Sequence, residues 1–331
     1  MGQGAFITGC AGRAVTKAEK ALFREADPWG FILFARNIET PAQTRRLVAD
    51  LRESVGRDAP VLIDQEGGRV QRLKPPIWRA YPPALDQVRA TAGSVRAMYL
   101  RQRLISAELH DIGIDVNCVP CLDLLTDETH PMLANRLLGA ETDEIVPLAQ
   151  AIIDGGRDGG VRSVIKHLPG YGRASLDSHK ALPRVDTPLA ELTETDFEPF
   201  RPFADEAMGM TAHILFTDVD PDRPVTQSPD GIRLIREQIG FDGLLMTDDI
   251  SMEALSGSIT ERSRASLAAG CDLVLHCNGA FDEIQIVAET CGAMTEASQA
   301  RADRAVTATL TPIEDDIPAL LAEYEALLKG A

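Results

Sequence analysis

Eight short apolar runs, at 4–9, 30–34, 61–63, 115–120, 163–165, 210–216, 243–247 and 271–277, alternate along the chain with segments of helical pattern. Such alternation calls for parallel strands joined by crossover helices, and strands apolar on both faces are buried on both. Eight units in 331 residues fit one (β/α)8 barrel spanning 1–331 better than an open doubly wound sheet. No Gly-x-Gly-x-x-Gly follows the first run, where a dinucleotide-binding fold would carry it. Nor does a linker or low-complexity tract set off a second domain.

Local signals agree. Thr16-Lys-Ala-Glu19 is a capping box, and Thr40-Pro41 opens a helix with Leu47, Val48, Leu51 and Val55 at helical spacing. A long helix is expected over 94–112, stopped by Gly113, and another over 143–154, ending among Gly155, Gly156, Gly159 and Gly160. The chain beyond 277 is helical in composition.

Charge narrows the partners. A formal net charge of -17 at pH 7 argues against nucleic acid or an anionic membrane surface, both of which want clustered Lys and Arg. No stretch approaches the roughly 20 apolar residues of a membrane span, and no secretory signal opens the chain. A cytoplasmic setting is expected. Of the six cysteines, Cys118 and Cys121 have the spacing of half a zinc site, but no second pair completes it. Buried reduced thiols are the expectation.

In parallel barrels the chemistry sits at the C-terminal ends of the strands. Those ends carry Arg36-Asn37, Asp64, Asp123, Lys166-His167, His213, Asp248-Asp249 and Asn278. Asp248 reads as functional, while Asp249 reads as the cap of a helix over 251–255. His110, His130 and His276 read as ordinary structural residues. After Lys166-His167 the chain enters Pro169-Gly-Tyr-Gly172 and a small, polar segment bearing Asp177 and His179. A loop of that composition, about 170–180, is expected to be mobile and to carry function on a rigid scaffold. No His-x-His pair appears and the polar ends are cationic, so the chemistry is expected to use no metal and no other cofactor.

Asp64-Gln-Glu-Gly-Gly-Arg-Val70, Lys166-His-Leu-Pro-Gly-Tyr-Gly172, Asp177-Ser-His179 and Thr247-Asp-Asp-Ile-Ser-Met252 occur in this order. Together they resemble the family 3 glycoside hydrolases, specifically the single-domain bacterial β-N-acetylglucosaminidases of cell-wall recycling. The resemblance extends to Ile32-Leu-Phe-Ala-Arg-Asn37 and Met210-Thr-Ala-His213. It implies that Asp248 is the catalytic nucleophile, His179 the general acid/base and Asp177 the carboxylate that orients it. It implies further that Asp64, Arg72, Arg136, Lys166 and His167 hold a terminal N-acetylglucosamine. This chain departs from the family pattern at Tyr171, where a second His is usual, and in Asn135-Arg-Leu-Leu-Gly139.

The implied reaction is retaining exo-hydrolysis of terminal β-linked N-acetylglucosamine through a glycosyl-aspartate. The implied substrates are small carbohydrates such as muropeptides or oligosaccharides. A retaining glycosidase ordinarily pairs a carboxylate nucleophile with a carboxylic acid. Here an imidazolium would serve, its ordinary pKa of about 6.5 suiting proton transfer near neutrality. Two alternatives stand beside this reading: phosphorolysis of the same sugar, and a Schiff-base lyase using Lys166 as the nucleophilic amine.

Overall fold

The computed structural model describes residues 2–178 and 180–330. The sheet runs in the order Arg162–Ser163, Val116–Asn117, Val61–Ile63, Pro28–Leu33, Gly4–Thr8, Leu273–His276, Leu244–Asp249, Met208–Thr211, Ile165–Leu168, every neighbour parallel. The two edges are one strand. Arg162–Ser163 pairs with the fourth strand and Ile165–Leu168 with the sixth, with Val164 between them. Counting those pieces once gives eight strands, and the sheet closes through the fifth. This is the (β/α)8 barrel that the alternation predicts.

Side-chain alternation builds its two layers. Ile7, Ile32, Leu62, Val116, Val164, Met208, Leu244 and Val274, one from each strand, join a single buried cluster. Their neighbours Phe31, Leu33, Val61 and Ile63 belong to another cluster, with Leu47, Val48 and Leu51 of one helix and Leu100 and Leu104 of another. Successive strand residues point to opposite faces, and both faces are covered, which is why these runs are apolar throughout.

The helix signals act as written. Thr16 and Glu19 form the reciprocal capping box at Lys17–Ala26. Thr40 caps Pro41–Val55, Ser94 caps Val95–Asp111, and each accepts a backbone N–H three residues on. After the eighth strand come Phe281–Cys291, Glu296–Thr307 and Ile317–Lys329.

Three boundaries differ from expectation. The helix expected over 143–154 runs Thr142–Asp158. Its Gly155 is a contact point rather than a terminator, because a Cβ there would meet the Tyr99 carbonyl oxygen at 2.5 Å. The sixth barrel strand ends at Thr211, and the remainder of the apolar run, Leu215–Phe216, pairs instead with Arg184–Val185 in a separate small sheet. The segment 251–255 forms turns, and the next helix begins only at Ile259. Asp249 therefore caps a turn. Its Oδ1 accepts from Ser251 N, and the Ser251 hydroxyl donates to its Oδ2 at 2.6 Å.

No described helix is long and apolar enough to cross a membrane. The cysteines are unpaired thiols, buried except for the half-buried Cys277. Burial pushes the Cys10, Cys121, Cys271 and Cys291 thiols up to about 12, so they stay protonated.

Candidate active site

A cavity of roughly 200 Å³ opens at the C-terminal ends of the strands. Asp64, Arg72, Arg136, Lys166, His167, Asp177 and Asp248 all line it, and they arrive from five separate segments of the chain. His179, to which the resemblance assigns the acid/base role, lies outside the described residues.

Lys166 is the centre of the floor. It ends up almost wholly buried because the fifth strand continues through it to Leu168. Its Nζ lies 2.6 Å from Glu66 Oε1 and 3.3 Å from Asp64 Oδ1. Burial alone would favour the neutral amine, yet Glu66 and Asp64 hold its pKa well above the ordinary lysine value. Arg72 Nη2 donates to Asp64 Oδ2 at 2.9 Å, and its guanidinium stands 4.9 Å from the centre of the Phe34 ring. Arg136 makes a bidentate pair with Glu66, 2.8 Å at each contact. Burial pushes against ionisation of Glu66 and Asp64, but the cations outweigh it and hold both carboxyls below their ordinary values.

His167 is set by the segment that follows the fourth strand. Its Nδ1 lies 2.7 Å from Asp123 Oδ2, while Oδ1 of the same carboxylate accepts from the backbone N–H of His167 at 3.2 Å and of Tyr171 at 2.7 Å. One carboxylate thereby fixes the ring and the start of the following loop.

Asp248 sits at the penultimate position of the seventh strand. Its Oδ1 accepts from the Asp249 N–H at 2.8 Å. Burial would raise its pKa, but His167, His213, that N–H and Lys166 together lower it. An ionised carboxylate at a strand end, facing the cavity, is what a nucleophile requires. His213 supports this end. Burial lowers its pKa below the ordinary histidine value, and its ring donates from Nε2 to the Asp249 carbonyl at 3.0 Å.

The loop after the fifth strand divides in two. Gly170, Tyr171, Gly172 and Ala174 are buried, whereas Ser175 and Leu176 are exposed. At Gly172 a Cβ would lie 2.0 Å from the Leu124 carbonyl oxygen, so only glycine permits the approach. Asp177 and Ser178 then return to the cavity wall.

Other strand-end residues have structural work. Arg36 donates to the carbonyls of Cys10 and Cys277, and Asn37 to those of Cys10 and Gly12, tying neighbouring loops together. Asn278 donates to Glu283. Neither these residues nor Asp249 lines the cavity. His276 is core, as its position inside a strand suggests. His130 caps the short helix Pro131–Ala134, its Nδ1 accepting from the Met132 N–H, and it also lines the cavity.

Glu66, which joins Lys166 to Arg136, carries no role in the motif reading. Its signal was its place two residues after Asp64, since alternate residues leaving a strand tend to share a face. Cys121, Asp123 and His167 bring ligand-type atoms within 4.8 Å of one another. Asp123 and His167 are hydrogen-bonded to each other at 2.7 Å, and the Cys121 thiol is directed at Glu66 Oε1, 3.9 Å away.

Residues 10–311 match the glycosyl hydrolase family 3 N terminal domain. The chain is similar to a β-hexosaminidase of Pseudomonas aeruginosa, 35% identical over 283 residues and covering 83% of each chain. It superposes on NagZ from Neisseria gonorrhoeae, solved in complex with N-trifluoroacetyl-D-glucosamine, with a TM-score of 0.85 at 28% identity, covering 100% of this chain and 97% of that one. It also superposes on a family 3 β-N-acetylglucosaminidase from Paenibacillus sp. with a TM-score of 0.82 at 29% identity, covering 99% of this chain but only 62% of that longer one. A barrel of this topology, with these motifs at its strand ends, belongs to glycosyl hydrolase family 3.

Proposed function

We propose that the protein is a retaining exo-β-N-acetylglucosaminidase that removes terminal N-acetylglucosamine from small glycans. Fragments of peptidoglycan are the substrates we favour. One observation carries the reading: an ionised Asp248 faces a cavity floored by Asp64, Lys166 and Arg72. Asp248 attacks the anomeric carbon and forms a glycosyl ester. His179 protonates the departing oxygen and then deprotonates the water that resolves the ester, with Asp177 orienting its ring. Asp64 accepts from sugar hydroxyls, while Lys166, Arg72, Arg136 and His167 complete the grip on the sugar. The names of the relatives and the glucosamine derivative bound by the gonococcal protein support the choice of sugar.

The lyase alternative is disfavoured, because an amine that attacks a carbonyl must be neutral and Lys166 is held charged by two carboxylates. The test compares nitrophenyl β-N-acetylglucosaminide with nitrophenyl β-glucoside, and follows the stereochemistry of the released sugar. Selective turnover of the N-acetyl substrate with a β-configured first product is expected. Comparable efficiency on both, or inversion, would overturn the reading. Sugar phosphate formed in phosphate buffer would instead mark phosphorolysis.

A further inference from the structure

We propose that Tyr171 is a positioning residue, whose hydroxyl holds the Asp177–Ser178 backbone against the cavity; the inference rests on the hydrolytic reading above. The Tyr171 hydroxyl accepts from Ser178 N–H at 3.1 Å and donates to the Leu176 carbonyl at 3.3 Å. A phenol has one proton to give and lone pairs to receive, so both bonds coexist. Burial pushes this hydroxyl up to about 12, which keeps its proton in place throughout the working range.

The backbone of the same residue is equally fixed. Tyr171 N–H donates to Asp123 Oδ1, the carboxylate that also holds His167, and the two rings lie 5.6 Å apart. Tyr171 is therefore a strut between the rigid strand-five platform and the far end of the loop. Across the loop, the Ser178 carbonyl accepts from Ala254 N–H at 3.0 Å, in the turn that follows Asp248. Ser178, the residue before the proposed acid, is thus held on both sides of its backbone. Between the strut's two feet, Ser175 and Leu176 are exposed, with Leu176 47% accessible, so apolar packing does not hold that stretch down. Packing alone explains a buried aromatic ring at 171; it does not explain two hydroxyl bonds to the segment that leads from exposed Leu176 to buried Ser178.

Tyr171→Phe keeps the ring and removes the strut. Relative to wild type, kcat/KM should fall about tenfold with a disaccharide whose leaving group is a sugar, and less than about twofold with the dinitrophenyl glycoside, which leaves without a proton. Chymotrypsin cleavage after Leu176 should accelerate severalfold while the thermal unfolding midpoint changes little. Equal losses for both leaving groups, unchanged cleavage after Leu176, or losses that track a fall in the unfolding midpoint would overturn the inference. If wild type turns over neither N-acetylglucosaminide, the hydrolytic reading fails, and the cleavage rate alone then decides whether the hydroxyl holds the segment.

Discussion

Glu66 meets Arg136 in a bidentate pair inside the cavity wall, and the same carboxylate receives the Lys166 ammonium. Removing one member of a buried pair leaves the others uncompensated, at a cost of about 3 kcal/mol or more. Glu66→Gln preserves shape and deletes the charge. Its unfolding midpoint should drop, and kcat/KM should drop with it as Lys166 and Arg136 lose their register. Because folding lowers the Glu66 pKa, its contribution is complete above the ordinary value of 4.5 and drains away as pH falls below it. The stability gap between wild type and Glu66→Gln, measured by thermal unfolding from pH 7 to 3.5, should hold steady and then narrow only below about pH 4.5.

Asp248 is expected to carry the sugar between half-reactions. A 2-acetamido-5-fluoro glycoside should label one peptide spanning Met246 to Met252, and Asp248→Asn should lower kcat roughly 10⁴-fold or more. Peptide mass spectrometry that finds the label elsewhere would remove Asp248 from this role.

In the proposed mechanism, acid assistance at His179 matters in proportion to how badly the departing oxygen needs a proton. His179→Ala should cost about 10² to 10⁴ in rate with sugar leaving groups and far less with dinitrophenol. Asp177→Ala should show the same slope, less steeply, because its proposed role is to orient the acid without being it. A flat leaving-group plot for His179→Ala, with glycosylation limiting, would leave His179 only a binding role.

Chelation should not matter. In the Cys121, Asp123 and His167 group, Asp123 and His167 are hydrogen-bonded to each other at 2.7 Å. Prolonged incubation with EDTA followed by buffer exchange should leave nitrophenol release unchanged. Loss of activity restored by one divalent metal would contradict this.

The barrel was legible because its signals are local and repeated: Thr16, Thr40 and Ser94 cap where their patterns say, and Val61–Ile63 is buried on both faces. Strand length was less legible. The apolar run through Phe216 is continuous in sequence, but ladder pairing with the fifth strand stops at Thr211. Within the site, Asp64, Lys166, His167 and Asp248 could be found from strand ends, since a strand fixes where its last side chain points. Glu66 and His130 could not, because their positions depend on contacts with Arg136 and with the loop around Met132. Arg36 and Asn37 misled for the complementary reason: polar residues at a strand end also serve to tie backbone together.

Asp64, Glu66 and Asp248 set three negative charges in the floor, and Lys166, Arg72 and Arg136 set three positive ones, so these six residues sum to zero. The molecule around them is at -17. The net charge is thus carried by residues outside these six, which form a balanced patch. An uncharged sugar entering such a patch neither brings nor displaces a counter-ion. It exchanges water for fixed dipoles and balanced ions, and in the proposed reaction two opposite charges vanish and return together: the carboxylate of Asp248, consumed as the glycosyl ester forms, and the imidazolium of His179, spent on the departing oxygen.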